Sequence, residues 1–214
     1  MLRKIIDQIK DLAQRDLTDP SSFQDPVAMR TAWTPLCPGG SNFKTAVLHK
    51  INEQRMEFRA SVGMKLMAGI FVIVGLGIGV DFALKKPVRT RENLPFVIGI
   101  VFAAVGAGLL RSATTPTVFD LRLGYFCRSR KKPELMMDPS KLKRYAELKR
   151  VHALQVLSEH VRGKKSSYHS HELNLVLDDG TRVNVVDHGN RSALLADAET
   201  LSKFLNKPLW DAGI

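Results

Sequence analysis

Two long apolar stretches constrain this chain more than any other feature of its sequence. They cover residues 66–84 and 94–110, and both are rich in glycine. The first contains a single ionisable residue, Asp81, and the second contains none. As α-helices rising about 1.5 Å per residue, segments of this length reach roughly 25–28 Å, against a hydrocarbon core of about 30 Å. The sequence therefore predicts two transmembrane helices.

A short charged connector, residues 85–93 (KKPVRTREN), joins the two apolar stretches. We therefore expect the helices to run antiparallel as one transmembrane hairpin over residues 64–111. Ten Lys and Arg residues flank the outer ends of the two apolar stretches, four over residues 50–65 and six over residues 111–132, compared with four in the connector. Since the bias of Lys and Arg in short flanks sets the orientation of a span, both termini are predicted to be cytoplasmic.

The chain is strongly basic, with a net charge of +11 and a pI near 9.9. Between Arg122 and Lys165 there are thirteen Lys and Arg residues but only four Asp and Glu. Beside a span, such a cluster attracts anionic lipid by about 1 kcal/mol per well-placed cation, or serves only to set the topology. Nucleic acid is not expected as a partner, because no recognised binding motif accompanies the charges. The candidate lipid- or partner-binding residues are Arg128, Arg130, Lys131, Lys132, Lys141, Lys143 and Arg144.

Period-two patterns predict a β-rich domain on both sides of the apolar stretches. A β-hairpin is predicted over residues 41–60, directly before the first span. The main part of the domain is predicted over residues 117–214, where Asp178-Asp179-Gly180 gives the clearest hairpin turn. Residues 151–161 fit either a strand or a helix, and their alternation of side chains favours a strand.

Helical patterns are predicted at both ends of the chain. Residues 1–16 form an amphipathic pattern, which suits packing on the protein or lying on the membrane surface. Residues 17–40 contain several prolines and are predicted to be an irregular linker. A short helical turn capped by Ser140 is predicted over residues 140–147, and residues 192–205 are predicted to form a closing helix.

This order of strands followed by a closing helix is that of a pleckstrin-homology-like (PH-like) domain. By analogy of element order, we predict an α+β membrane protein. In it, an antiparallel two-helix transmembrane hairpin is inserted in a small PH-like β-barrel or sandwich with a C-terminal helix.

Four short strings of residues carry a resemblance to a known group of proteins. They are Gly39–Phe43, Glu172–Leu177, Asp187–Gly189 and Pro208–Asp211. In these strings the chain resembles uncharacterised bacterial membrane proteins that couple two transmembrane helices to a small PH-like β domain. The resemblance covers most of the chain from about residue 40. It implies a multi-pass protein of the bacterial cytoplasmic (inner) membrane, and it implies no catalytic activity.

Small residues recur four positions apart in both apolar stretches. Such residues let helix backbones approach closely in lipid, where dispersion packing replaces the hydrophobic effect. The simpler interpretation, which we favour, is that they pack the two helices of one hairpin together. The alternative is self-association into a homo-oligomer or docking to another membrane subunit. The candidate helix-packing residues are Gly75, Gly79, Gly99, Ala103 and Gly108.

Histidines provide weak candidates for a metal site. His169 and His171 lie two apart on a predicted strand, so their side chains share a face. Glu172 and His188 are the further candidates near them. Two histidines and a carboxylate suit zinc, but this spacing matches no recognised metal motif. We therefore predict no metal site.

The two cysteines, Cys37 and Cys127, are far apart and in no metal spacing. In a reducing cytoplasm they are predicted to be free thiols. Cys37 is the candidate reactive thiol, although a structural role is favoured because no base neighbours it in sequence. The chain shows no nucleophile elbow, Walker loop or kinase signature. No enzyme activity and no cofactor are therefore predicted.

These features predict a non-enzymatic integral membrane protein whose cytoplasmic PH-like domain binds a protein partner or an anionic lipid surface. The first alternative is a small accessory subunit of a larger membrane complex, associated through the hairpin. The second is a membrane-bound metal- or thiol-dependent enzyme that uses the histidines and Cys37.

Overall fold

The computed structural model describes residues 19–85, 94–142, 144–163 and 166–212. Within these ranges the chain divides into two compact units. The hairpin unit is Phe43–Leu148, and the terminal unit comprises the described residues before and after it. The amphipathic helix predicted over residues 1–16, and the connector beyond Lys85, lie outside the described residues.

The described residues form nine strands and four α-helices, numbered in chain order. The strands are β1 (Ala46–Asn52), β2 (Arg55–Ala60), β3 (Thr117–Asp120), β4 (Tyr125–Arg128), β5 (Tyr145–Glu147), β6 (Val151–Arg162), β7 (Ser167–Leu177), β8 (Arg182–His188) and β9 (Leu209–Asp211). The α-helices are α1 (Pro26–Arg30), α2 (Val62–Lys85), α3 (Leu94–Ala113) and α4 (Arg191–Leu205). Short 3₁₀ helices lie at Pro20–Phe23, Pro133–Leu135, Pro139–Lys141 and Leu148–Arg150.

The hairpin unit contains a five-stranded antiparallel sheet in the order β1-β2-β3-β4-β5. The β1–β2 turn is closed where the Gln54 N–H donates to the Asn52 side chain at 2.9 Å. The β3–β4 turn uses Gly124 at a φ of +72°, a backbone conformation that favours glycine. The aromatic residues on one buried face of this sheet are Phe58, Phe119 and Phe126.

Both long helices leave this sheet from the same end. β2 passes through Ser61 into α2, and the Ser61 hydroxyl accepts a hydrogen bond from the Met64 N–H at 3.1 Å, as an N-cap does. α3 returns to β3, which is the antiparallel neighbour of β2, with Phe58 opposite Thr117. The start of α2 and the end of α3 are therefore held side by side.

α2 and α3 are long and apolar enough to cross a membrane. The candidate spans are Val62–Leu84 and Leu94–Ala113, each slightly longer than the predicted apolar stretch. Fewer than a fifth of the residues in the most apolar part of either helix are buried by the described chain. A helix from the core of a soluble protein would be mostly buried. The prediction of two long apolar helices is confirmed.

Glycines bring the backbones of α2 and α3 into contact. A Cβ atom added to Gly75 would lie 2.6 Å from the Gly99 carbonyl oxygen, and it would also meet the backbone of Ala103. A Cβ atom on Gly99 would lie 2.9 Å from the backbone nitrogen of Gly79. Distances this short leave no room for a side chain, so Gly75 and Gly99 depend on being glycine, whereas a Cβ atom on Gly79 would meet no atom of the other helix within 4 Å.

Further along the pair, the contact involves a glycine that the sequence pattern does not single out. A Cβ atom on Gly106 would lie 2.6 Å from the backbone nitrogen of Val72. A Cβ atom on Gly108, by contrast, would meet no atom of the described chain within 4 Å. Phe71 stacks on Phe102 beside this contact, with ring centroids 5.6 Å apart. The α2–α3 contact therefore runs through Gly106 rather than Gly108.

The terminal unit contains a four-stranded sheet in the order β8-β7-β6-β9. β6 and β7 are long antiparallel partners, and β9 adds to β6 in parallel, with Leu154 opposite Leu209. Residues 151–161 therefore form a strand, as their alternation favours. α4 begins after Asn190, whose side chain accepts a hydrogen bond from the Ala193 N–H at 2.9 Å.

The mixed α+β class is confirmed, but of the two predicted PH-like arrangements, barrel or sandwich, the closed barrel is not observed among the described strands. The described strands form two separate sheets, and neither closes into a barrel. β6 has β7 on one side and β9 on the other, so neither edge of β6 is open to a further strand. The sequence pattern does not predict β9, because its parallel partner lies more than fifty residues earlier in the chain.

The predicted irregular linker, residues 17–40, has more structure than its prolines indicate. Its described part contains a 3₁₀ helix and α1, each capped by the preceding aspartate. Phe23 stacks on Trp33 with ring centroids 4.9 Å apart, and Trp33 lies 5.9 Å from Trp210. These rings pack the segment on the terminal unit's sheet.

Residues 140–147 also differ from the prediction of a helical turn capped by Ser140. Asp138 is the cap of the 3₁₀ helix Pro139–Lys141, because its carboxylate accepts the Ser140 N–H at 3.1 Å. The chain then extends into β5, which pairs with β4. A proline at the first helical position explains why the cap lies before it, at Asp138.

Substituting Gly75 with alanine tests the packing of α2 on α3. We expect the free energy of unfolding, measured by denaturant titration in mixed micelles, to fall by about 1–3 kcal/mol, because the new methyl group meets the α3 backbone. Gly77→Ala is the matched control, since its methyl group would meet no described atom within 4 Å. Equal stability of the two variants would contradict the observed contact.

Candidate functional site

The basic segment, residues 128–144, contains all seven candidate lipid- or partner-binding residues. It connects β4 to β5, and its two ends are adjacent because the Arg128 N–H donates to the Arg144 carbonyl at 2.9 Å. Arg128 also pairs with Thr117, the first residue after the helical hairpin to join the sheet. The basic segment therefore begins and ends beside the sheet end from which α2 and α3 leave.

Two arginines of the basic segment bind the C-terminal end of α3. Arg130 Nη2 donates to the Arg111 carbonyl at 3.0 Å and to the Thr114 hydroxyl. Arg128 Nη2 donates to the Ser112 carbonyl at 3.4 Å. The last carbonyls of a helix lack helical partners and carry partial negative charge. Both carbonyls also accept hydrogen bonds from Thr115, so the two guanidinium groups add to this capping and place positive charge at the helix end.

The remaining candidates differ in exposure. Lys131, Lys132 and Lys141 are exposed, Arg144 is half-buried, and Lys143 lies outside the described residues. Lys141 forms an ion pair with Asp138 at 3.7 Å, but its side chain is 77% exposed, so all three lysines are accessible to an anionic surface. The structure therefore divides the basic segment into arginines that bind α3 and lysines that face outward.

The inner side of the basic segment covers an apolar cluster that includes a cysteine. The cluster consists of Val118, Tyr125, Cys127, Leu142 and Tyr145. Burial raises the pKa of the Cys127 thiol to about 11, and the nearby Glu134 carboxylate acts in the same direction. Because the thiolate is the nucleophilic form, Cys127 is a structural thiol.

Glu172, on β7 of the terminal unit, is a buried carboxylate that binds the backbone of the segment before the first strand. Its Oε1 accepts the Leu36 N–H at 2.7 Å and its Oε2 accepts the Cys37 N–H at 3.0 Å. Asn174 donates to the same Oε1 at 2.7 Å. Hydrogen bonds to a charged acceptor are the strong class, so this carboxylate fixes the segment on the sheet.

A second carboxylate extends this attachment to the Gly39-Gly40 pair. Glu159 Oε2 accepts the Gly39 N–H at 2.9 Å. The Tyr168 hydroxyl donates to the Gly40 carbonyl at 3.3 Å, and a Cβ atom on Gly40 would overlap the Ser170 side chain. Gly40 is needed because its backbone lies directly on the sheet, whereas Gly39 adopts a φ of +76°, a backbone conformation that favours glycine.

Cys37, Glu172 and Asp187 form a group of potential metal ligands within the described chain, with ligand atoms all within 4.8 Å of one another. They line a cavity of about 10 Å³, which has room for about one water molecule. Both Glu172 oxygens already accept hydrogen bonds. The group fits a structural role better than a reactive one.

The histidines occupy the face of β7 opposite Glu172. His169 and His171 share this face, and His188 lies opposite His171 on β8. His160 lies opposite His169 on β6, with its Nδ1 3.2 Å from the Nε2 of His169. The structure therefore brings His188 near His171, separates Glu172 from the histidines, and adds His160. Sequence spacing does not reveal His160, because the β6–β7 register is not encoded locally.

No family model matches the chain, and no curated protein matches it significantly. The inference of function therefore depends on features of the described chain itself. These are the uncovered apolar surfaces of α2 and α3 and the exposed lysines beside the end of α3.

Glu172→Gln tests the attachment of the Leu36–Cys37 backbone. An amide offers one oxygen and sets its NH₂ group against the other backbone N–H, so we expect a loss of about 1–3 kcal/mol in the free energy of unfolding. Tryptophan fluorescence follows the unfolding of this unit, since both tryptophans, Trp33 and Trp210, lie in the terminal unit. Glu159→Gln, at an exposed contact, should cost less; an equal or greater loss there would contradict the account.

The pH dependence of stability tests the environment of His171. Burial lowers its pKa to about 4, and the neighbouring Arg191 guanidinium acts in the same direction. This folded-state pKa lies below the usual histidine pKa of about 6.5, which applies to the unfolded chain. The stability contributed by neutral His171 is therefore complete above about pH 6.5 and is lost as pH falls toward 4. NMR titration should show one histidine with a midpoint near 4, absent in His171→Asn. A midpoint above 6 would contradict burial of the ring.

Proposed function

We propose that this chain is a non-enzymatic integral protein of a bacterial inner membrane that holds its basic segment on the anionic cytoplasmic leaflet. The observation that carries the proposal is the uncovered apolar surface of α2 and α3. Burial of apolar surface is worth about 25 cal/mol per Å², so two such helices exposed to water are strongly unfavourable. Lipid removes this cost without requiring another protein.

The topology of the hairpin unit supports the same orientation as the charge bias. Because β2 and β3 are neighbours in one sheet, the outer ends of both helices lie on one side of the membrane in this proposal. The basic segment begins and ends at that sheet end. Cytoplasmic placement of that side agrees with the excess of Lys and Arg outside the hairpin.

Anionic lipid is the partner that the position of the cations favours. Arg128 and Arg130 bind the carbonyls at the end of α3, which would lie at the lipid headgroups if α3 spans the bilayer. Lys131 and Lys132 follow directly and are exposed. Each well-placed cation contributes about 1 kcal/mol at an anionic leaflet, so the segment would add a few kcal/mol to the membrane contact.

The alternatives have less support. The resemblance to two-helix bacterial membrane proteins agrees with the proposed location and brings no activity with it. A role as an accessory subunit needs a partner on the outer face of the hairpin, and nothing on that face identifies one. An enzymatic role would depend on the group formed by Cys37, Glu172 and Asp187. The Glu172 carboxylate of this group already accepts hydrogen bonds from backbone N–H groups.

Neutralising the exposed lysines tests lipid binding. Full-length Lys131→Gln/Lys132→Gln should retain phosphatidylglycerol roughly ten- to thirtyfold more weakly than the unaltered protein, by native mass spectrometry from detergent. The control Lys50→Gln/Arg122→Gln removes the same charge from the opposite end of the same sheet. Equal losses in the two variants would contradict a site at the helix end, and unchanged binding in both would exclude a contribution from these lysines.

A further inference from the structure

Two exposed apolar side chains stand out in the basic segment. Outside α2 and α3, Leu135 and Met137 are the most exposed large apolar residues in the described chain, with Leu135 80% exposed and Met137 fully exposed. Apolar surface singly exposed on a protein is common and needs no explanation. Here, however, the two residues lie two positions apart, within the segment that carries the outward-facing lysines.

The local structure fixes their outward direction. Pro133 is buried, and the next residue, Glu134, accepts a hydrogen bond from the Tyr125 hydroxyl at 3.2 Å. The Met136 N–H donates to the Pro133 carbonyl at 3.0 Å, which closes a 3₁₀ turn. With Pro133 and Glu134 held against the sheet, Leu135 and Met137 are left on the outer side.

The surroundings match those of a membrane-interface contact. Lys131 and Lys132 precede the two apolar residues and Lys141 follows them, and all three are exposed. Cations beside projecting apolar side chains are the combination that binds headgroups and reaches the acyl boundary, about 5–10 Å deep. Arg130 is bound to the end of α3, and Leu135 lies within about 17 Å of it along even a fully extended chain. Glu134 is held at Tyr125, nearer the β3–β4 turn, so the contact needs this face of the sheet to lie along the leaflet.

We propose that Leu135 and Met137 insert into the acyl boundary of the leaflet at which α3 ends, with Lys131 and Lys132 on anionic headgroups. This inference rests on the proposed membrane insertion of α2 and α3. It adds a second membrane contact, which fixes one face of the hairpin unit's sheet toward the lipid. An acidic protein partner would also meet the lysines, but it would not be fixed at the end of a membrane helix.

Site-specific quenching in nanodiscs tests the proposal. Full-length Met137→Cys, in a Cys37→Ser background, carries a bimane probe in discs of phosphatidylglycerol with nitroxide-labelled lipid. Cys127 is buried and is not expected to react. Met137→Cys should be quenched at least about twofold more than Ile51→Cys, an exposed apolar control on the edge strand β1, beside the β1–β2 turn at the far end of the sheet.

A third probe separates this proposal from the proposed function. Leu110→Cys, near the end of α3, reports whether the helix itself lies in lipid. If Leu110 is quenched and Met137 is quenched no more than Ile51, the insertion of this loop is overturned while the membrane anchor stands. If none of the three is quenched, membrane insertion itself fails. If the Met137 probe is quenched, and this quenching is lost when Lys131→Gln/Lys132→Gln is added, the result supports joint action of the lysines and the apolar pair.

Discussion

The pairing of β2 with β3 is the interaction on which the hairpin unit depends. The two strands are hydrogen-bonded neighbours, although α2, the connector and α3 separate them along the chain. Loop-closure entropy grows slowly with loop length, and an antiparallel helix pair brings its own ends together. The insertion is therefore compatible with a continuous sheet. Because Phe58 is fixed opposite Thr117, both helices must leave the sheet at one end.

Contacts at that end of the sheet connect α2 and α3 with the basic segment. The glycine contact around Gly75 keeps α2 and α3 together, and Arg130 binds the last carbonyls of α3. The chain must turn there to enter the basic segment, so the lysines are positioned by the same elements that position α2 and α3. In the terminal unit, buried Glu172 has a comparable role, since it fixes a proline-rich segment that lacks regular backbone pairing.

The sequence predicts the parts of this fold that depend on local pattern. Length and composition identify α2 and α3, the Asp178-Asp179-Gly180 turn predicts the β7–β8 hairpin, and apolar periodicity predicts α4. The division into two sheets depends on the distant pairing of β9 with β6, for which there is no local signal.

The same reason limits what can be predicted of the sites. The cations of the basic segment are visible as composition, but their division into helix-binding arginines and exposed lysines requires the fold. Glu172 occurs in an ordinary strand pattern, and its backbone partners lie about 135 residues earlier. His160 and His169 meet only because of the β6–β7 register.

Sidedness is the most direct test of the account. In a Cys37→Ser background, intact cells expressing full-length Thr90→Cys or Arg122→Cys are treated with a membrane-impermeant maleimide. Thr90, in the connector, should react from outside, whereas Arg122, in the β3–β4 turn, should react only after the cells are permeabilised. Reaction of both positions from the same side, or recovery of the chain as a detergent-free soluble monomer, would contradict the account.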